Sequence, residues 1–446
     1  MTVWLRLALL VGLSAQANAS DAPIGGKLFV DPTHPPSYRP LADNEAPLVR
    51  LGQSVFDSHW VAAGVPGMAG RPGLGPLFNA TSCASCHNEG QRGQGPVGDG
   101  AVPIALVMQL EAPLANAGAE PSGDPVYGRV FNTLALRGVP AEGAVTVRYT
   151  ETAGYYYPFG GRWSLRVPHY RLTGLPYGPL SPTTIIKPRL APALFGAGLL
   201  EAVPENAISE RTAGQAKAAY SGTPVWHTRH GIRVLGRLGW QADAISIRDQ
   251  ATNAFAREMG LTSKDLAADD CTPAQEQCRT LPSGGSPEVS EELLDAVVTF
   301  VRTLAVPESS TPARDDSPGS ELFAGSGCAA CHLPRLPVEL PGSAGARVSG
   351  VIAAYTDLKV HDLGSEMADE NASGAKIPSR WRTAPLWGLG YRTKTEVHPT
   401  YLHDGRARSA EEAILWHSGE AAHAKYNFVK LGPRSREVLL HWLETL

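Results

Sequence analysis

The chain has 446 residues, a formal charge of −4 and 18% charged residues, a balance that argues against nucleic-acid binding and against a polybasic membrane surface. It is long enough for two or three domains and a sizeable core. Its 47 glycines and 37 prolines follow no period, which points to many loops rather than to disorder.

Residues 1–19 read as a secretory signal. Arg6 supplies the positive start, Leu7 to Leu13 the apolar run, and Ala17-Asn18-Ala19 the small-x-small cleavage site. The apolar run is too short to cross a bilayer, and no later segment is long enough. A soluble protein exported to the periplasm or beyond, without a membrane span, is therefore expected.

Further along, Gly52-Gln53-Ser54-Val55-Phe56 leads towards Cys83-Ala84-Ser85-Cys86-His87. The same order recurs as Gly319-Ser320-Glu321-Leu322-Phe323 before Cys328-Ala329-Ala330-Cys331-His332. A Cys-x-x-Cys-His run lets two thiols add to the vinyl groups of one haem while the histidine coordinates its iron. Two copies with the histidine in register disfavour the competing zinc reading. Two covalently bound haem c groups are expected, attached at Cys83, Cys86, Cys328 and Cys331, with His87 and His332 as iron ligands.

The repeat continues. Ala191-Pro192-Ala193-Leu194-Phe195-Gly196-Ala197-Gly198 resembles Ala384-Pro385-Leu386-Trp387-Gly388-Leu389-Gly390. Closing helices are expected where Val297, Phe300, Val301 and Leu304, and again Leu439, Trp442, Leu443 and Leu446, fall at i, i+3, i+4 and i+7. In the first copy, Val145 to Thr150 and Trp163 to Val167 alternate and are rich in β-branched or aromatic residues, so a small hairpin is expected there. The predicted architecture is mainly α: two cytochrome c-like domains in tandem over 20–306 and 319–446, joined by a Ser/Pro/Asp-rich linker at 307–318. The first is enlarged by a small β-containing insertion. Cys271 and Cys278 lie in a polar loop, where an oxidising compartment favours a disulfide over free thiols or a metal site; closing so short a loop is worth about 2.5 kcal/mol.

Several segments resemble the di-haem oxidoreductase family, whose members carry the description peroxidase and were formerly labelled thiol oxidoreductases. They are Gly73 to Ser82, Asp124 to Gly128, Gly198 to Glu205, Gly236 to Trp240, Tyr355 to Leu358 with His361-Asp362, and Tyr401 to Ser409. More distantly, the second copy is similar to bacterial di-haem cytochrome c peroxidases and MauG, which share a Tyr-x-His-Asp-Gly segment. The resemblance implies a haem-dependent oxidoreductase that exchanges electrons with an external donor or acceptor of the small cytochrome or cupredoxin type and takes a small-molecule oxidant. It does not fix the substrate. A bridging Ca²⁺ of the related peroxidases finds no obvious residues here.

The sixth ligand decides whether an iron carries electrons or does chemistry. For the second haem the choice is His417, near the end of a helix that Ser409 can cap, at the place where the resemblance puts an axial Met. His403 and Met367 are the alternatives, and the competing reading is an ordinary helix-end histidine. The first copy lacks the loop that carries His403 and His417. His227 and His230 read as loop histidines, and Met108 and Met259 as core, so the first iron is the candidate for an open site. Peroxide activation there needs a carboxyl that moves a proton. Glu201, after the apolar run Leu194 to Leu200, is the candidate acid/base, against a surface glutamate at a helix end. Arg189, Arg237 and Arg382 are candidate partners of haem propionates, and Trp240, Trp381 and Trp387 candidate electron relays. The favoured function is a peroxidase-like oxidoreductase in which the second haem passes electrons to a reactive first haem. The alternatives are a non-catalytic electron-transfer cytochrome and a MauG-like oxidant of a protein or metal-ion substrate.

Overall fold

A computed structural model describes residues 45–64, 70–113, 122–152, 155–210, 222–307, 316–341 and 347–446. The expected signal at 1–19 and most of the expected linker at 307–318 lie outside these ranges.

The helical repeat has a physical basis in two glycine-mediated crossings. Helix Ala46–Asp57 turns Val49, Gly52, Val55 and Phe56 inward and packs on helix Glu291–Thr303, which Ser290 caps through the backbone N–H of Leu293. A Cβ on Gly52 would come within 2.0 Å of the Ala296 carbonyl oxygen, so only glycine allows this approach, and Phe56 meets Phe300 edge-on at 5.3 Å. The second copy repeats the device. Helix Pro318–Gly325 crosses helix Pro433–Leu443 with Gly319 against Trp442, where a Cβ would stand 2.2 Å from the tryptophan Cβ.

The Ala-Pro segments match in the same way. Gly196 and Gly388 take φ of 72° and 76° ahead of helices Ala197–Glu201 and Leu389–Thr395. Their N–H groups bond the carbonyls of Leu304 and Leu446, just beyond the ends of the two closing helices. They also exchange neighbours. The Trp387 ring covers Gly196 and the Phe195 ring covers Gly388, a reciprocal contact of the kind a pseudo-two-fold axis produces.

The mainly α expectation is not met. Helix accounts for 30% and strand for 23% of the chain, and the strands form eight sheets among the described residues. Of the hairpin expected in the first copy, the first strand is present as Ala144–Glu151, but its antiparallel partner is Arg166–Thr173, in the register Val147↔Tyr170, and overlaps Trp163 to Val167 only at Arg166 and Val167; Trp163 pairs with Tyr155 in a separate short ladder. The unforeseen element is a five-stranded antiparallel sheet in the order Lys376–Ile377, Asp369–Asn371, Ile185–Leu190, Leu106–Glu111, Val130–Phe131. It takes strands from both sides of 307–318, so the two copies share backbone hydrogen bonds as well as side-chain packing. Pro188 fits within it because Asp369–Asn371 pairs only with Ile185 and Ile186, leaving the proline on an unpaired edge.

Candidate functional site

The second Cys-x-x-Cys-His motif opens one wall of a cavity of about 300 Å³ lined by Cys328, Cys331, His332, Met367, His403 and His417, among others. Gly327, at φ 90°, starts the short turn Cys328–Ala330 that delivers His332. Opposite, Ser409 accepts the Glu412 N–H at 3.0 Å and caps helix Ala410–Trp416, which ends on His417. Both histidines are oriented by backbone: His332 Nδ1 lies 2.9 Å from the Tyr355 carbonyl oxygen and His417 Nδ1 2.7 Å from that of Ala413. Donation from each Nδ1–H leaves each Nε2 with a free lone pair, the usual support of a metal-bound imidazole. Burial pushes His332 down to about 4 and lowers His417, so both rings are neutral at pH 7.

The two ring centres are 6.5 Å apart. Two metal–nitrogen bonds of about 2 Å, with about 1 Å from each nitrogen to its ring centre, span about 6 Å. The pair therefore fits an iron held between them. The alternatives His403 and Met367 also line the cavity, but His403 is stacked on Trp381 at 3.7 Å, and Met367 accepts the Trp381 indole N–H through its own carbonyl.

The charges of the cavity fit the same group. Arg382 donates to the carbonyls of Gly239 and Thr383. Arg92, five residues after His87, donates to the Leu402 carbonyl and lies 5.0 Å over the Trp240 ring, with its Nε buried and unpartnered. Neither meets a carboxylate at ion-pair distance among the described residues, and burial pushes them down to about 9 and 10. Both flank the Gly239–Trp240 turn, since the Arg382 N–H also bonds the Trp240 carbonyl at 2.8 Å. Two arginines on the cavity wall, neither held in an ion pair among the described residues, match the two propionates that a haem carries.

The other arginine candidates are already engaged. Arg189 forms a bidentate pair with Asp369 at 2.8 Å, and Arg237 donates to the backbone of Glu201 and Val203. Trp240 and Trp381 line the cavity; Trp387 packs on Gly196 instead.

At the first motif, Ser82 accepts the Ser85 N–H and caps the turn Cys83–Ser85. Burial pushes His87 down to about 4, and its Nδ1 has no hydrogen-bond partner. No second histidine faces it among the described residues. His227 bonds the Ala242 carbonyl, His230 sits in a turn at φ 50°, and Met108 and Met259 are buried in core.

Glu201 is committed elsewhere. One carboxyl oxygen accepts the Ile247 N–H at 2.9 Å and the other the Arg302 guanidinium at 2.7 Å. It faces a separate hollow lined by Arg237 and Glu339, where no haem-motif residue stands. Two carboxyls that sequence reasoning missed act on the first motif, Asp57 on Cys83 and Glu258 on Cys86; Glu258 is the one on the helix that Ser246 caps. Asn79 Nδ2 donates to it at 3.3 Å, its charge acts on Cys86, and burial pushes it up to about 7.

Beside the second motif, His361 is clamped between Asp357 at 3.0 Å and Glu420 at 2.9 Å. Cys331, Asp357 and His361 are the one group of three potential metal ligands that lie together among the described residues. A thiol and an imidazole make it unlike the all-oxygen set that Ca²⁺ takes. Cys271 and Cys278 are paired as a disulfide.

The family description "Di-haem oxidoreductase, putative peroxidase" matches residues 183–446. No curated protein matches the chain. Among solved structures, Kuenenia stuttgartiensis hydrazine synthase pressurised with 20 bar xenon aligns over 100% of both chains at 13% identity and a TM-score of 0.38, a likeness too distant to carry an argument. No helix among the described residues is long and apolar enough to cross a membrane. With more than half its length matched, the second haem motif included, the chain belongs to the di-haem oxidoreductase family.

Proposed function

We propose that the chain is an exported, peroxidase-like di-haem c-type oxidoreductase. Cys328 and Cys331 would attach one haem, and His332 and His417 would hold its iron. Cys83 and Cys86 would attach the other, with His87 as its protein ligand. The observation that carries this reading is the pair of backbone-tethered, neutral imidazoles of His332 and His417 facing each other at 6.5 Å. Bound haem would supply electron transfer where the protein gives its iron two ligands and peroxide activation where it gives one.

The chain's own contributions follow. Arg92 and Arg382 would hold the propionates of the second haem. Glu258, rather than Glu201, would handle the proton at the first site, because its carboxyl accepts Asn79 beside the motif and desolvation raises it towards neutrality, to about 7. Electrons would come from, or go to, a small cytochrome or cupredoxin.

The test is spectroscopic. Purified protein should contain two covalent haems per chain and show one low-spin and one high-spin ferric component, the latter shifting on addition of peroxide. Purely low-spin spectra indifferent to peroxide would instead support the electron-transfer alternative.

A further inference from the structure

The two copies correspond residue by residue around the helix that carries His417. In the second copy an isolated antiparallel bridge joins Tyr401 to Ala407, Ser409 follows, and its side chain caps at Glu412. In the first copy a bridge joins Leu238 to Ala244, Ser246 follows, and its side chain caps at Asp249 at 3.1 Å. All four pairs stand at one constant spacing. Carried forward, the same spacing sets Ile247 against Ala410, Ala251 against Ile414 and Ala254 against His417. Ala410, Ile414 and His417 line the second cavity.

The helices diverge only after this point. The second ends at Trp416, whereas the first runs to Glu258. Ile247, Ala251, Ala254 and Glu258 fall at i, i+4, i+7 and i+11, one face of a helix. That helix is tied to the first motif, since the Glu258 carbonyl accepts the N–H groups of Asn79 and Ala80 at 2.8 and 3.1 Å, just before Cys83. Phe255 meets Trp60 edge-on at 6.2 Å, and Trp60 bonds the Thr81 carbonyl.

We propose that Ala254 is the residue that keeps the first site open. It stands where the second copy supplies a ligand, and the face running from Ala251 to Glu258 is the side on which a small lone-pair donor, a peroxide or an anion of similar size, enters. A methyl group donates no lone pair and leaves room where an imidazole would stand. One turn further on, Glu258 presents a carboxyl to whatever enters. The inference rests on the reading that both motifs carry haem.

The experiment uses the full-length holoprotein. Wild-type ferric spectra test the haem reading by itself: without two haems and a high-spin component, that reading fails before any variant is made. A254H then tests the inference. It should retain two haems per chain, exchange the high-spin signal for a second low-spin one, and bind azide at least tenfold more weakly. A254H with two haems, an unchanged high-spin signal and wild-type azide affinity would overturn the proposal. Should A254H not accumulate as holoprotein, A254L tests the same face by bulk alone. It should stay high-spin yet bind azide at least tenfold more weakly, and wild-type affinity in A254L would overturn the proposal.

Discussion

Removing the Arg189 guanidinium tests how the two copies are joined. Arg189 lies on strand Ile185–Leu190 and Asp369 on the neighbouring strand Asp369–Asn371, across the seam of the five-stranded sheet. Their side chains are 5% and 1% exposed. Two parallel hydrogen bonds of 2.8 Å link them, Gln241 takes a further arginine N–H at 3.0 Å, and Ser379 donates to Asp369 at 2.7 Å. Burial alone would raise Asp369; Arg189 outweighs it and holds the carboxyl below its usual range. In Arg189→Met the carboxylate keeps its burial and loses its counter-charge, a change that costs about 3–5 kcal/mol when a fully buried pair is broken from one side. The double variant R189M/D369L removes both charges, and replacing a whole buried pair by apolar residues is close to neutral. Denaturant unfolding followed by far-ultraviolet circular dichroism should therefore rank wild type and the double variant close together, with R189M well below. The R189M deficit should shrink in acid, where Asp369 takes up a proton. A loss below about 1 kcal/mol in R189M, the value of an exposed pair, would refute the reasoning. So would a double variant as unstable as the single one.

Three further outcomes are expected. Arg92→Met should shift the second haem towards its oxidised form by about tenfold at fixed poise, about 59 mV for one electron, while R92K stays near wild type; spectroelectrochemistry reads both. Glu201→Gln should leave peroxide turnover unchanged and lower stability through the lost Arg302 contact, whereas Glu258→Gln should slow turnover at least tenfold with haem content intact, as stopped-flow and haem assay would show. Burial alone would lower His361, but Asp357 together with the Cys331 sulfur outweighs it and raises the imidazole to about 10. A folded-state value above the unfolded value of about 6.5 means stability that is complete below that pH and lost as pH rises through 10. Unfolding measured between pH 6 and 10 should therefore fall more steeply in wild type than in H361Q, and equal slopes would exclude the clamp.

The features legible in the sequence are those that local chemistry fixes. Both closing helices were readable because an apolar stripe at helical spacing suffices to specify them. The helix that ends at His417 was readable because a serine cap and a following glycine locate it. The sheet was not. Ile185–Leu190 carries Lys187, Pro188 and Arg189 and shows no alternation, and its partners lie as far away as Asp369. Glu201 misled because an apolar run before a carboxylate suggests burial, yet the partner that engages it, Arg302, stands 101 residues away. Glu258 carries no local mark: it ends an ordinary amphipathic helix, and only contacts with residues far away in sequence, Asn79, Ala80 and Cys86, connect it to the first motif. Ala254 could have been found by setting the serine caps of Ser246 and Ser409 in register, but the lengths of the two helices differ and hide the match.

The central claim is that one motif carries an iron ligated on both faces by protein while the other does not. The ferric electron paramagnetic resonance spectrum of His417→Ala addresses it most directly. The account predicts two haems per chain, the loss of the one low-spin signal and the gain of a second high-spin signal. A low-spin signal that survives unchanged in His417→Ala would contradict it.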